Sequence, residues 1–91
     1  MLGMTYKEFY DKLYYGCDIL MSYNNYYYLL NAANEYQSDK FTQHKIRLYK
    51  CAEFECVNCS ELYNMSFTTE EESINSFLNS KVFDNRVFYD V

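Results

Sequence analysis

Two Thr-x-x-Glu signatures, Thr5 with Glu8 and Thr69 with Glu72, stand near the ends of this 91-residue chain. Between them the apolar residues change from helical to strand spacing. In such a capping box the two side chains satisfy backbone donors that a helix leaves unpaired in its first turn, so each marks a helix start. After the first box, Tyr6, Phe9, Tyr10, Leu13 and Tyr14 follow the rhythm of one buried helical face, with Lys7, Glu8, Asp11 and Lys12 on the other. This predicts an amphipathic helix over residues 6–15, ended by Gly16, which can take the left-handed conformation needed just past a helix end. After the second box, Ile74, Phe77 and Leu78 form a buried stripe, and Glu70, Glu71 and Glu72 sit at the positive end of the helix dipole.

The stretch between the boxes reads in steps of two. Residues 18–23 and 26–33 are expected to form a hairpin about Asn24-Asn25, because asparagine tolerates the positive φ that a two-residue hairpin turn requires. Ile19, Met21 and Tyr23 share a face of the first strand, and Tyr26, Tyr28 and Leu30 a face of the second. The consecutive tyrosines 26–28 must face both sides of the sheet, so at least one points away from the core. The polar run over residues 34–40 reads as a surface loop. A third strand over residues 42–52 alternates Ile46 and Leu48 with Lys45, Arg47 and Tyr49, and a fourth over residues 59–67 puts Tyr63, Met65 and Phe67 on one face. The apolar tail over residues 81–91 is an added strand or a docking segment. The expected fold class is α+β: an N-terminal helix, a four-stranded antiparallel meander, and a C-terminal helix packed on one face of the sheet. Neither a repeat nor a linker divides residues 1–91, so a single domain is expected.

With 49% hydrophobic and 21% aromatic residues, the chain is too apolar to be disordered. It lacks an apolar run of the roughly 18 residues that a membrane-spanning helix needs. The first residues carry neither a basic nor an apolar leader region, which makes a reducing cytoplasm the expected compartment and free thiols or metal ligands the expected state of the four cysteines. Cys51, Cys56 and Cys59, spaced C-x4-C-x2-C, could supply thiolates to a structural zinc, with His44, Cys17 or an acid as the fourth ligand. A strong zinc signature pairs two knuckles, so these cysteines read first as small core residues and no cofactor is expected. His44, the single histidine, reads as a solvent-facing strand residue within Gln43-His44-Lys45. No glycine-rich phosphate loop or cysteine–histidine signature is present, and an enzyme is not expected.

Charge layout carries more information. Thirteen acids against eight bases give a net charge of −5, which argues against general nucleic-acid binding. Residues 40–50 hold Lys40, Lys45, Arg47 and Lys50 without an acid, leaving thirteen acids and four bases, a net of −9, on the other eighty residues. Cross-strand pairing of those bases with Glu53 or Glu61 is one explanation of the layout. The other is an acidic body that docks onto a basic groove of another protein, where it acts as a phosphate mimic. Twelve tyrosines and no tryptophan suit such a protein-binding surface, with Tyr15, Tyr36 and Tyr89 as exposed candidates.

A capped N-terminal helix, Gly16-Cys17-Asp18-Ile19 leading into Ser22-Tyr23-Asn24-Asn25, a meander and an acidic C-terminal helix together resemble small proteins of phages and mobile elements. In size, acidity and aromatic content the chain is most similar to anti-CRISPR proteins. That resemblance implies a stoichiometric inhibitor, in a host cytoplasm, that binds a CRISPR effector, often at its DNA-recognising surface. The basic strand departs from a uniformly acidic mimic. The expected partner-facing residues are Glu70, Glu71, Glu72, Glu35 and Asp39, with Tyr27 and Tyr36 as aromatic anchors. The alternatives are a zinc-stabilised module on Cys51, Cys56 and Cys59, and a single-stranded nucleic-acid binder using Lys45, Arg47 and exposed tyrosines. A homodimer through a sheet edge or the apolar tail is compatible with each.

Overall fold

A computed structural model describes residues 4–52 and 58–81 of the chain. Helix α1 (Tyr6–Tyr14) is followed by strands β1 (Asp18–Tyr23), β2 (Tyr26–Gln37), β3 (Lys40–Cys51) and β4 (Cys59–Phe67), then by helix α2 (Glu70–Ser80). The strands pair antiparallel in the order β1-β2-β3-β4, an open meander.

Both threonines cap their helices. Thr5 Oγ1 accepts the Glu8 amide at 3.1 Å, and Thr69 Oγ1 accepts the Glu72 amide at 3.2 Å. At the far end of α1, Gly16 adopts φ 77°, the Cys17 amide donates to the Lys12 carbonyl at 2.8 Å and the Gly16 amide to the Leu13 carbonyl at 3.3 Å. This double closure satisfies two carbonyls that the helix would otherwise leave unpaired. A Cβ at position 16 would lie 3.4 Å from the Asn34 backbone nitrogen, so left-handed strain rather than a clash dominates any substitution. Gly16→Ala is therefore expected to lower stability by about 1–2 kcal/mol in a urea melt. An unchanged midpoint would mean that the helix end relaxes into another closure.

Residues with even positions in β2 and β3 and odd positions in β1 point toward the helices. Ile19, Met21, Tyr28, Leu30, Ala32, Ile46, Leu48 and Tyr63 from the sheet meet Phe9 and Leu13 of α1 and Ile74 and Phe77 of α2 in one buried cluster. Helix α1 lies over β1 and β2, α2 lies over β3 and β4, and the helices touch each other.

Three sequence expectations change. Residues 34–40 do not form a loop: β2 and β3 run on to a two-residue turn at Ser38 and Asp39, with φ 51° and 65°. These short polar residues tolerate left-handed backbone, and polar side chains suit a ribbon that projects past its neighbours, where neither face must be buried. On α1, the fully buried stripe is Phe9 and Leu13, while Tyr6 is 45% exposed and Tyr10 and Tyr14 only flank the core. A short helix crossing two strands buries a narrower arc than its apolar residues span. Glu61 faces Tyr49 across the β3–β4 ladder, so it does not pair with a base of β3. Glu53, and all but the first residue of the 81–91 tail, lie outside the described residues.

Candidate functional site

The β3–β4 ladder ends where Phe67 faces His44, and α2 begins three residues later. The acidic first turn of α2 therefore starts at the end of the sheet from which the β2–β3 ribbon projects. Glu35 lies in that ribbon, where its carboxylate accepts from Gln43 Nε2 at 2.6 Å. Tyr36 is 63% exposed, with its ring edge-on to Phe41 at 6.0 Å, and Asp39 is the second residue of the turn. Glu35, Tyr36, Asp39, Glu70, Glu71 and Glu72 thus share one end of the molecule. Among the described residues, none of these acids is ion-paired; the pair found there is Lys7 with Asp11 at 2.7 Å. Tyr27 does not join this group. It lies toward the other end of the sheet, half-buried on the face away from the helices, between Ser22 and Cys51.

Three tyrosines that the sequence pattern assigned to the core, Tyr6, Tyr10 and Tyr14, line the flank of α1 together with Tyr15. Tyr6, Tyr10, Tyr14 and Tyr15 form a ladder of rings, with centroids 6.4, 6.3 and 5.1 Å apart in turn. The Glu70 charge, followed by burial, pushes the Tyr14 phenol above the ordinary tyrosine range. Tyr10 is raised mainly by burial and next by the charge of Glu71. A negative neighbour disfavours the phenolate, and a hydrogen bond from the phenol favours keeping its proton. Replacing Glu70 by glutamine is expected to move the Tyr14 ionisation back down, read by NMR of labelled tyrosine rings through an alkaline titration. No movement at Tyr14 would separate the ladder from the acidic turn.

His44 is not solvent-facing. Its ring is fully buried, with Nε2 2.6 Å from the Leu13 carbonyl and Nδ1 2.7 Å from Ser73 Oγ. A carbonyl can only accept, so Nε2 carries the proton; Nδ1 then accepts from the Ser73 hydroxyl, which is also buried. One side chain thereby ties the end of α1, the middle of β3 and the start of α2 together. Asn34 Nδ2 adds a bond to the Tyr14 carbonyl at 3.2 Å, again tying the sheet to the end of α1. The signal was present in the sequence: position 44 shares strand parity with Ile46 and Leu48. Both partners are sealed from solvent, so this serine–histidine pair holds the fold together and offers no nucleophile to a substrate.

The cysteines also differ from expectation. Cys51 and Cys59 are directly paired across β3 and β4, with Cα atoms 4.1 Å apart, and form a disulfide. They are thus neither free thiols nor thiolate ligands in this form. Cys56 lies outside the described residues, and Cys17 is free and exposed. Among the described residues, no group of three or more His, Cys, Asp or Glu side chains is placed to hold a metal ion. The bond closes a loop of sequence separation 8, and in the chain-entropy account such closure stabilises by about 2–3 kcal/mol. Reduction, or Cys59→Ser, is expected to lower the urea midpoint accordingly; an unchanged midpoint would place this end of the sheet outside the cooperative unit.

Strand alternation splits the basic stretch. Lys45 and Arg47 point away from the helices, whereas Lys50 points to the helix side and stands 4.0 Å from the centre of the Tyr26 ring. Lys40 sits at the ribbon tip. Lys45 and Arg47, the two bases named for a nucleic-acid strand, thus share a face, while Lys40 and Lys50 stand apart from them. No helix among the described residues is long and apolar enough to cross a membrane. The architecture is that of a small α+β domain with an open meander sheet and an acidic, tyrosine-rich helical side. Comparison with protein-family models, curated proteins and solved structures finds no significant match.

Proposed function

We propose that this chain is a stoichiometric protein-binding inhibitor, of the anti-CRISPR type, that places its acidic end in a basic groove of a nucleic-acid-handling protein. The observation that carries this reading is that Glu35, Asp39, Glu70, Glu71 and Glu72 lie toward one end, unpaired by cations among the described residues, with Tyr36 exposed on the ribbon. The helix-capping role of the α2 glutamates accounts for their sequence position, at about 0.3–1 kcal/mol each. It does not account for Asp39 and Glu35 lying toward the same end of the sheet on a separate hairpin. An acidic end of this kind speeds encounter with a cationic groove and competes there with phosphate.

The test uses the immobilised chain and a variant carrying Glu70→Lys, Glu71→Lys and Glu72→Lys. The wild-type chain is expected to retain DNA- or RNA-binding proteins that free duplex DNA displaces, more strongly at low salt, while the variant retains few. Retention insensitive to both DNA and charge reversal would overturn the proposal and leave the glutamates as helix caps.

A further inference from the structure

We infer that the sheet face turned away from the helices is a docking surface for an acidic amphipathic helix of a partner protein. This surface is separate from the acidic end, so the inference goes beyond the reading above. Helices α1 and α2 both pack on the opposite face. On the face they leave, strand alternation lays out adjoining rows of side chains across the strands. One row is apolar: Leu20 faces Leu29, Leu29 faces Tyr49, and Leu62 stands beside them where the β3–β4 register shifts. Leu20 and Leu62 are 42% and 36% exposed, and the two residues between them are half-buried. Two residues along β3, about 7 Å from Tyr49, comes Arg47, and Lys45 follows at the same interval. Arg47 lies between Asn31 and Asn64, whose amides donate to Asp18 and Glu61. It forms no ion pair among the described residues, and its Nε is sealed from solvent without an acceptor.

The occupant follows from these two components. Unsatisfied buried donors are rare in folded proteins, and this one belongs to a cation already partly stripped of water with its charge uncompensated. A carboxylate reaching the outer N–H edge of Arg47 gains more there than at a fully hydrated base. The backbone of a sheet is satisfied within its plane, so what covers its face is another layer, a helix or a sheet, rather than an added strand. A helix about 10 Å across can rest its apolar stripe on the leucines and Tyr49 while carboxylates on its flank reach Arg47 and Lys45. A nucleic-acid strand crossing these rows would pass Asp18 or Glu61 at the sheet edges and would lay phosphates against leucine side chains. A second copy of the chain would bring the same two bases, and the acids of its own rows are held by Asn31 and Asn64.

Two amphipathic, leucine-rich helical peptides, identical except that one is flanked by glutamate and the other by glutamine, separate the components. Each is titrated into the full chain and followed by NMR of the leucine methyls and the Arg47 Nε–H. The glutamate peptide is expected to bind more tightly, on the order of tenfold, and to shift Leu20, Leu29 and Leu62 together with Arg47. Arg47→Gln is expected to abolish the preference at an unchanged thermal midpoint, since the guanidinium has no ion pair among the described residues to lose. Leu20→Ser with Leu62→Ser, at the two exposed positions, is expected to weaken both peptides alike. The variant with Glu70→Lys, Glu71→Lys and Glu72→Lys is expected to keep the preference, which separates this surface from the acidic end. Equal affinity for the two peptides, or shifts confined to α2 and the ribbon, would overturn the proposal. Tighter binding of oligouridylate at the same methyls would overturn it in favour of single-stranded nucleic acid, and methyl shifts that follow protein concentration alone would do so in favour of a second copy.

Discussion

His44→Ala is expected to lower the stability of the domain by about 3–5 kcal/mol. The substitution empties a fully buried site and removes the donor 2.6 Å from the Leu13 carbonyl and the acceptor 2.7 Å from the Ser73 hydroxyl. A buried polar group stripped of its partner costs about 1–3 kcal/mol, and the cavity adds to that. At roughly 4–8 °C per kcal/mol for a domain of this size, the thermal midpoint falls by tens of degrees. Ser73→Ala strips one partner only and should cost less, about 1–3 kcal/mol. The double variant should be less destabilised than the two single effects added together, because the shared bond is lost only once. Strict additivity would show that histidine and serine act independently.

Phe77→Ala is expected to have an effect of the same order, about 3–5 kcal/mol, for a purely apolar reason. Phe77 is fully buried between α2 and the sheet, its ring edge-on to Tyr63 with centroids 5.2 Å apart. Tyr63 in turn donates to Ser76 Oγ at 3.3 Å, so the aromatic pair also fixes a polar contact at the rim of the core. Phe77→Leu keeps most of the volume and should lose markedly less. Urea unfolding with an unchanged m-value would assign the loss to stability alone. A cost for Phe77→Ala below about 1.5 kcal/mol would mean that α2 repacks over the gap. Because α2 carries Glu70, Glu71 and Glu72 on its first turn, the proposed docking at the acidic end predicts that both core substitutions also weaken it at temperatures where α2 loosens.

The candidate site was only partly legible. The acids of α2 could be placed in the sequence because their capping box fixes a helix start, and Asp39 and Glu35 could be named as charged and surface-bound. Their place at one end of the sheet could not be read, since it depends on β2 and β3 continuing through a stretch whose polar composition matches a loop. Ser38 and Asp39 close that ribbon with two left-handed residues in succession, a choice made by strand pairing rather than by their own preference. That Tyr27 lies toward the other end was illegible for the same reason: a residue's place along a sheet follows from register, which no single strand contains.

By itself, the sequence determined everything that local periodicity and capping control: both helix starts, the Gly16 stop, four strands, and the parity that puts Ile19, Leu30, Ile46, Leu48 and Tyr63 on one face. These are short-range properties, set by the 3.6 and 2.0 residue repeats of the backbone. Only the tertiary structure decided the fate of groups whose partners are remote in the chain. His44 is a core residue because Leu13 and Ser73, 31 and 29 positions away, supply its hydrogen bonds. Cys51 and Cys59 are bonded because the β3–β4 register sets them face to face. The tyrosines of α1 became a surface because the sheet beneath accepts only Phe9 and Leu13 in full, and a helix pattern records which residues are apolar but not how wide a face its neighbours will cover.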